Sequence, residues 1–211
     1  MSSKLSFLHS SLPENLLKKQ VAPALPFGSG IASLDQWLDG GLAWGKFSEW
    51  GMPLGSDTRK LLLNFLKKAN CDFLWVYSPK MGSPYPASWA SQIDLNRAYF
   101  IESDRPVADL KSCFLDNTFR LIILDSPQFL SLGDLAFLNQ QCRSLKQHYF
   151  LLRPYYLSNK LGNAYAQYRI NVFKEEANGY ILKKQKGIGE QSSLHLPMEE
   201  VVQHERSSSF L

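Results

Sequence analysis

Short apolar runs alternate with helical stripes along most of the chain. Segments such as 61–69, 106–116 and 132–146 have apolar residues at helical spacing. The runs between them have the length of buried strands and comprise Phe73–Tyr77, Ala98–Ile101, Leu121–Leu124 and Tyr149–Leu152. Parallel strands need crossover connections of this length, and the crossover helices cover the sheet. The alternation therefore predicts an α/β fold with a mostly parallel central sheet and helices on both faces.

A different pattern follows Pro154. Strand candidates at 164–173 and 180–186 are joined at Asn178-Gly179, a dipeptide that favours the tight turn of a hairpin. A hairpin pairs its strands in opposite directions. We therefore expect C-terminal antiparallel strands at one edge of the sheet.

The two ends of the chain lack this alternation. Residues 1–24 combine capping-box spacing with several leucines, which predicts a leader that docks as an arm or packs on the core. Residues 190–211 contain many serines and no sustained period, which is typical of a flexible tail. The sequence therefore predicts a leader at 1–24, an α/β core at 25–189 and a tail at 190–211.

Composition limits the class of protein. Of the 211 residues 45% are hydrophobic, which is enough to form a core without disulfides. Lys and Arg outnumber Asp and Glu by 23 to 19, an excess too small to imply nucleic-acid binding from bulk charge. The three cysteines form no C-x-x-C pair and the apolar runs are too short to span a membrane. We expect a cytoplasmic protein without a metal site or a membrane partner.

The loop at 51–58 is where a ligand is expected, because ligands of parallel α/β sheets bind outside the carboxyl ends of the strands. It follows the predicted strand at 47–50 and has the length of a phosphate-binding loop, G-x-x-x-x-G-K-[ST]. Gly51 stands at the first glycine of that motif and Thr58 at the hydroxyl that binds the metal.

The interior of this loop departs from the motif. After Gly55, Ser56 stands at the second glycine and Asp57 at the lysine, so the phosphate-binding cation is replaced by a carboxylate. Two like charges about 4 Å apart repel by about 4 kcal/mol at an effective dielectric of about 20. We expect that triphosphate does not bind, and we interpret Asp57 as the N-cap of the following helix.

Asp125 ends the hydrophobic run 121–124 and matches a Walker B aspartate, which holds magnesium through a water. Many strands also end in Asp simply to begin a turn, and Pro127 favours that alternative. Together with the loop residues, Asp125 defines a vestigial nucleotide site.

Several stretches resemble the RecA family. Residues 26–51 resemble its entry segment, which has a turn, Ser-Leu-Asp, a double glycine and a strand ahead of the phosphate loop. Residues 124–126, Leu-Asp-Ser, resemble that family's Val-Asp-Ser, and 162–171 with 182–186 resemble its late strands. The similarity covers about residues 25–190 and implies a RecA-like core of the P-loop NTPase type.

The chain departs from the RecA pattern at the positions that carry catalysis. Pro79 stands where RecA proteins have a catalytic glutamate, and Arg153-Pro154 replaces a glutamine at the end of a later strand. We expect neither the C-terminal domain of RecA nor its long DNA-binding loop in recognisable form. The resemblance therefore implies a core with no catalytic residue and no cofactor.

A truncated RecA core with an eroded nucleotide site is similar to the ImuA proteins and the related SulA-type cell-division inhibitors. The RecA-like connector at 26–45 favours the ImuA side. This similarity implies a non-catalytic accessory protein of the bacterial SOS response to DNA damage, which supports mutagenic translesion synthesis. The implied partners are a Y-family polymerase-like protein (ImuB), an error-prone replicative-type polymerase and RecA.

Basic residues on the late strands are candidates for weak DNA binding. Lysines along a strand follow a phosphate backbone, as the RecA resemblance suggests, or keep an exposed sheet edge from pairing with other chains. Both alternatives remain open for Arg169, Lys174, Lys183, Lys184 and Lys186.

Other hypotheses concern the loop and the leader. Trp44 and Trp50 flank the loop and would fill the space of a nucleotide, whereas Lys46 or Lys60 would replace the missing lysine in a working ATPase with a variant loop. If the chain joins its subunits as RecA does, the segment before Gly28 docks on a neighbouring copy and the protein self-associates.

Overall fold

The computed structural model describes residues 25–55, 58–158, 160, 162–175 and 179–201. The predicted leader lies outside the described residues, as do Ser56, Asp57 and the end of the predicted tail. Within the described part, no helix has both the length and the apolar character that a membrane span requires.

One sheet of eight strands organises the chain. The strands are β1 (Lys46–Gly51), β2 (Phe73–Tyr77), β3 (Ala98–Glu102), β4 (Leu121–Asp125), β5 (His148–Arg153), β6 (Tyr168–Glu175), β7 (Gly179–Lys186) and β8 (Ser193–Pro197). Their order is β3-β2-β4-β5-β1-β6-β7-β8. Pairing is parallel from β3 to β6 and antiparallel from β6 through β7 to β8. The predicted α/β fold, with antiparallel strands at one edge, is confirmed.

Within the described residues, helix α1 (Ala32–Trp37) precedes β1, and the helices between strands are α2 (Lys60–Ala69), α3 (Pro106–Asp109), α4 (Lys111–Leu115) and α5 (Leu132–Leu145). The long helix predicted at 106–116 is therefore two pieces, interrupted at Leu110, which has φ −124 and ψ 28. Helix α5 begins with a capping box between Ser131 and Asp134 and ends at Lys146 in the left-handed conformation.

Two hydrophobic clusters cover the two faces of the sheet. One contains Trp50, Trp75 and the buried stripe of α2, and the other contains Phe47, Tyr149 and the inner side of α5. Strand β4 is buried along its whole length, as its uninterrupted apolar sequence predicts. Helices on both faces hold the carboxyl ends of the parallel strands in one row.

The prediction of a tail from residue 190 is wrong for the described residues 193–201. Strand β8 pairs with β7, and Leu196 is completely buried. A helical turn at 198–201 follows and buries Val201. The run Ser-Leu-His-Leu at 193–196 alternates polar and apolar residues, so it was a strand signal too short to stand out from the serine-rich surroundings.

Candidate functional site

The candidate site lies where β1, β2 and β4 end. Met52, just after β1, is buried and its N–H donates to the Arg153 carbonyl at 2.9 Å. Gly55 has φ 78, and Thr58 is buried ahead of α2. The N-cap residue of α2 is Arg59, without a side-chain cap bond, whereas the cap predicted from sequence, Asp57, is outside the described residues.

Arg59 binds Asp125 at two points. Its Nε donates to Oδ2 at 2.8 Å and its Nη2 donates to Oδ1 at 2.7 Å. The Asp125 side chain is 9% exposed and that of Arg59 is 19% exposed, so water screens this pair only in part. The carboxylate that matches a Walker B aspartate therefore has a guanidinium of the same chain as its counter-ion.

Two further groups complete the contacts of Asp125. The indole Nε1 of Trp75 lies 3.3 Å from Oδ2, and the Ser126 hydroxyl donates to Oδ1 at 2.9 Å. Nη2 of Arg59 also lies 3.0 Å from the Ser126 oxygen. Both carboxylate oxygens thus accept hydrogen bonds from side chains. These bonds connect the start of α2 and strand β2 to the end of β4.

A cavity of about 390 Å³ adjoins this cluster and is lined by Gly55, Arg59, Lys60 and Trp89. Of the two lysines considered as substitutes, Lys60 borders this cavity, whereas Lys46 lies at the amino end of β1, at the opposite end of that strand. The structure therefore leaves only Lys60 near the loop.

Gly51 has a packing role at the end of β1. A Cβ at this position would lie 2.2 Å from Oδ1 of Asn171 and 2.9 Å from the Tyr155 carbonyl. Asn171 in turn accepts from the N–H of Leu157 at 2.6 Å and donates to its carbonyl at 2.9 Å. Because glycine has no side chain, the segment after β5 can pack closely against the end of β1. This packing role does not depend on a bound phosphate.

Trp44 and Trp50 do not fill a nucleotide space. Trp50 is completely buried in the core, between Phe65 and Phe150, and donates to the Ser48 hydroxyl. Trp44 lies at the amino ends of the strands, with the guanidinium of Arg120 4.0 Å above its ring. The hypothesis is wrong because both side chains pack with the same hydrophobic cluster, Trp50 within it and Trp44 against it near the amino ends of the strands.

The candidate DNA-binding residues do not form one exposed row. Arg169 is 7% exposed, has its Nε 3.5 Å from Oε2 of Glu49, and donates to the Ser158 carbonyl. Lys184 donates to the carbonyls of Trp37 at 2.6 Å and Ile188 at 2.7 Å, and burial lowers its pKa. Successive residues of a strand point to opposite faces, so Lys183 and Lys184 are separated by the sheet.

The remaining lysines are exposed. Lys174 and Lys186 lie on the surface, Lys186 with a 2.9 Å bond to the Ala164 carbonyl, and Lys183 lies 5.2 Å from the Phe173 ring centre. Phe173 stacks with Tyr156 at 4.3 Å. Strand β7 lies between β6 and β8, so its lysines do not protect a sheet edge as one alternative proposed.

Sequence reasoning missed a buried carboxylate on β1. Glu49 has no solvent exposure and lies between two arginines, with Oε1 2.9 Å from Nε of Arg153 and Oε2 3.5 Å from Nε of Arg169. It also accepts from the N–H of Asn163 at 2.5 Å. The cluster joins β1, β5 and β6 and fixes the loop between β5 and β6. The only signal for this cluster in the sequence was a glutamate within a predicted buried strand.

A second missed group is His148 on β5. It is completely buried, with Nδ1 2.9 Å from the Ala43 carbonyl and Nε2 2.8 Å from the Ser48 hydroxyl. Burial lowers its pKa from 6.5 to about 4, against a smaller raising effect of the Ala43 bond. A neutral ring that donates from Nδ1 and accepts at Nε2 satisfies both contacts.

Comparisons with known proteins address the fold. No protein-family model and no curated protein matches the chain. Among solved structures, the RadB recombinase matches with a TM-score of 0.65 and 16% sequence identity, over 80% of this chain and 93% of that one. At this identity the match concerns the fold alone. Together with the strand order, it shows that this chain has a RecA-like α/β fold.

Proposed function

We propose that the chain is a non-catalytic RecA-like accessory protein of the bacterial SOS response. In this role it supports mutagenic translesion synthesis through contacts with a Y-family-like polymerase partner (ImuB), an error-prone replicative-type polymerase and RecA. The RecA-like fold supports the superfamily. The assignment to the ImuA side depends on the sequence resemblance at 26–45.

The observation that carries the non-catalytic role is the Arg59–Asp125 ion pair. RecA-like folds bind nucleotide with magnesium, and here the aspartate expected to face that metal is bound by a guanidinium. Hydrogen bonds to charged groups contribute about 1.5–3 kcal/mol each, and a metal would have to displace two of them. The residues present therefore do not fit a magnesium nucleotide.

The catalytic positions of RecA support the same proposal. Pro79, at the place of the glutamate, begins a short 3-10 turn and carries no acid. Arg153, at the place of the glutamine, is bound to the buried Glu49. Each position has a role in packing or in an internal ion pair, and neither supplies a group that would activate water.

Nucleotide binding is the direct test. We expect calorimetry of the full chain with ATP and Mg²⁺ to give no binding heat. The matched control replaces the ion pair by a neutral hydrogen-bonding pair, Arg59→Gln with Asp125→Asn. Binding by the native chain that this double variant loses would overturn the non-catalytic role.

A cellular test addresses the DNA-damage role. We expect deletion of the gene to lower damage-induced mutation, and both the native gene and the double variant to restore it. Normal mutagenesis after deletion would contradict the proposal. Filamentous cells on overexpression, without an effect on mutagenesis, would favour the SulA-like inhibitor of cell division.

A RecA-type ATPase with a variant loop is the second candidate, because Lys60 borders the cavity beside Arg59. An ATPase assay separates the two candidates. Hydrolysis that is lost in Lys60→Met and retained in the exposed control Lys46→Met would establish the enzyme.

Self-association is a further part of the proposal. Strand β3 is an edge of the sheet, and its Tyr99 is 46% exposed, so an added strand has a surface to pair with. Size-exclusion chromatography of a chain that starts at Phe27 tests whether the leader supplies this contact. Unchanged assembly and unchanged RecA binding would remove it.

A further inference from the structure

A cavity of about 750 Å³ opens between the start of α3 and the loop that joins β4 to α5. The two walls are joined where the N–H of Phe129 donates to the Asp104 carbonyl at 3.1 Å. Its residues include Arg105 and Val107 on one wall and Phe129 and Leu130 on the other. We call this cavity the α3–α5 groove.

The α3–α5 groove exposes large apolar side chains at its mouth. Phe129 is 58% exposed, and Leu132, just beyond it at the start of α5, is 75% exposed. Single exposed apolar residues are ordinary, but two of them beside a cavity that is partly lined by Val107, Ala108 and Leu130 are typical of an interaction surface. The groove can therefore accept a large apolar side chain from outside.

The carboxylates around the groove are already satisfied within the chain. Asp104 accepts from the Ser78 hydroxyl at 2.5 Å and pairs with Lys80 at 3.1 Å. Asp109 accepts from the Ser103 hydroxyl at 2.6 Å. Asp134, which lines the groove, accepts from the N–H and hydroxyl of Ser131 in the capping box.

Arg105 is the exception among these charged groups. Its side chain is exposed and lines the groove, and within the described part of the chain it makes no hydrogen bond or ion pair. The groove therefore combines apolar side chains with one guanidinium that has no hydrogen-bond or ion-pair partner among the described residues. A carboxylate next to a large apolar side chain complements both features.

We propose that the α3–α5 groove binds a short segment of a partner protein in which a Leu or Phe lies within two positions of an Asp or Glu. The apolar side chain enters the cavity and the carboxylate pairs with Arg105. This inference rests on the proposed function, in which the chain acts through protein contacts. A nucleic acid fits less well, because it needs several cations and the lining of the groove contains one arginine and one aspartate.

Peptide selection tests the groove. The full chain is immobilised, and a library of random peptides displayed on phage is the probe. We expect the selected peptides to combine Leu or Phe with a nearby acidic residue. As synthetic labelled peptides, they should lose about tenfold or more in affinity on Phe129→Ala and on Arg105→Glu.

A charge exchange gives the decisive comparison. Peptides whose acid is replaced by Lys should regain affinity for the Arg105→Glu variant and not for the native chain. The matched control is Arg143→Glu, which makes the same charge change in the last turn of α5 and should leave binding unchanged. Leu132→Ser gives a second apolar variant, because a side chain 75% exposed contributes little to folding.

Several outcomes would overturn the proposal. They are a library that yields no binders, binders indifferent to both Arg105→Glu and Phe129→Ala, and oligodeoxythymidine binding that these two variants abolish. The last would assign the surface to single-stranded DNA. None of them depends on the mutagenesis phenotype, so failure of the groove and failure of the proposed function are distinguishable.

Discussion

Arg59 at the start of α2 and Asp125 at the end of β4 form a two-point ion pair, with Nη2 2.7 Å from Oδ1 and Nε 2.8 Å from Oδ2. The two residues are 66 positions apart in sequence. Their pairing joins the start of α2 to the end of β4. A contact internal to the chain thus holds together two segments that are distant in sequence.

Removing one partner of this pair should destabilise the fold. Arg59→Met leaves Asp125 without its counter-ion, and loss of one member of a largely buried pair costs about 3 kcal/mol. Urea unfolding measures the change. The double variant Arg59→Met with Asp125→Leu should recover most of it, because no buried charge remains.

The exposed pair Lys80–Asp104 is the control for this prediction. The Lys80 side chain is 61% exposed, so Lys80→Met should change the unfolding free energy little. An equally small effect of Arg59→Met would show that the Arg59–Asp125 contact is not a stabilising pair.

Glu49→Gln should be strongly destabilising although it preserves shape. The variant leaves the guanidinium groups of Arg153 and Arg169 against a neutral amide in a buried site, at a cost of about 3–5 kcal/mol. Hydrogen exchange should show that the Asn163 amide, which donates to Glu49, opens first. Glu175→Gln, in a more exposed pair with His195, is the matched control and should have a small effect.

Gly51→Ala and Gly55→Ala separate two roles of glycine. At Gly51 the new methyl would lie 2.2 Å from Asn171, so overpacking should cost about 1–3 kcal/mol. At Gly55 it would meet no atom within 4 Å, and the penalty is the left-handed backbone at φ 78, about 1–2 kcal/mol. Adding Asn171→Ala to each variant should relieve Gly51→Ala in part, because the Tyr155 carbonyl still lies 2.9 Å from the new methyl, and should not relieve Gly55→Ala. Thermal unfolding of the four variants checks this.

Acid should destabilise the protein through His148. The unfolded chain takes up the proton near pH 6.5, whereas in the folded state the pKa is about 4, so the unfolded state binds more protons between these values. Stability should therefore fall as the pH falls from about 6.5 to about 4, by up to about 3 kcal/mol. Urea unfolding at several pH values measures it.

His148→Gln is the variant for this prediction. It removes the titrating ring and should flatten that part of the pH profile, although it weakens the bonds to Ala43 and Ser48. An unchanged slope in His148→Gln would assign the acid sensitivity to other groups.

Local sequence patterns predicted most strands, because a short run of apolar residues indicates a buried strand. Phe73–Tyr77 has the same bounds in the sequence prediction and in the structure, and the hairpin partners β6 and β7 pair as expected. The errors occurred where a pattern was short or interrupted. Strand β8 lies in a serine-rich segment, and the helix predicted at 106–116 is interrupted at Leu110.

The candidate site was only half predictable. Its backbone position followed from the rule that loops at the carboxyl ends of parallel strands meet, and Asp125 lies there as expected. Its chemistry did not follow. Arg59 was one basic residue among many in the sequence, and Trp44 and Trp50 were placed by their distance from the loop in sequence and not in space.

By itself, the sequence determined the α/β class, the direction of most strands and the position of the candidate site at the carboxyl ends of the parallel strands. These properties depend on residue type and local periodicity, both of which are visible in the sequence without the tertiary structure. Only the tertiary structure decided which charges are paired, because Arg59 meets Asp125 and Glu49 meets Arg153 and Arg169 through contacts between distant segments. Because these charged groups are largely removed from water, the stability of the fold depends on their partners within the protein.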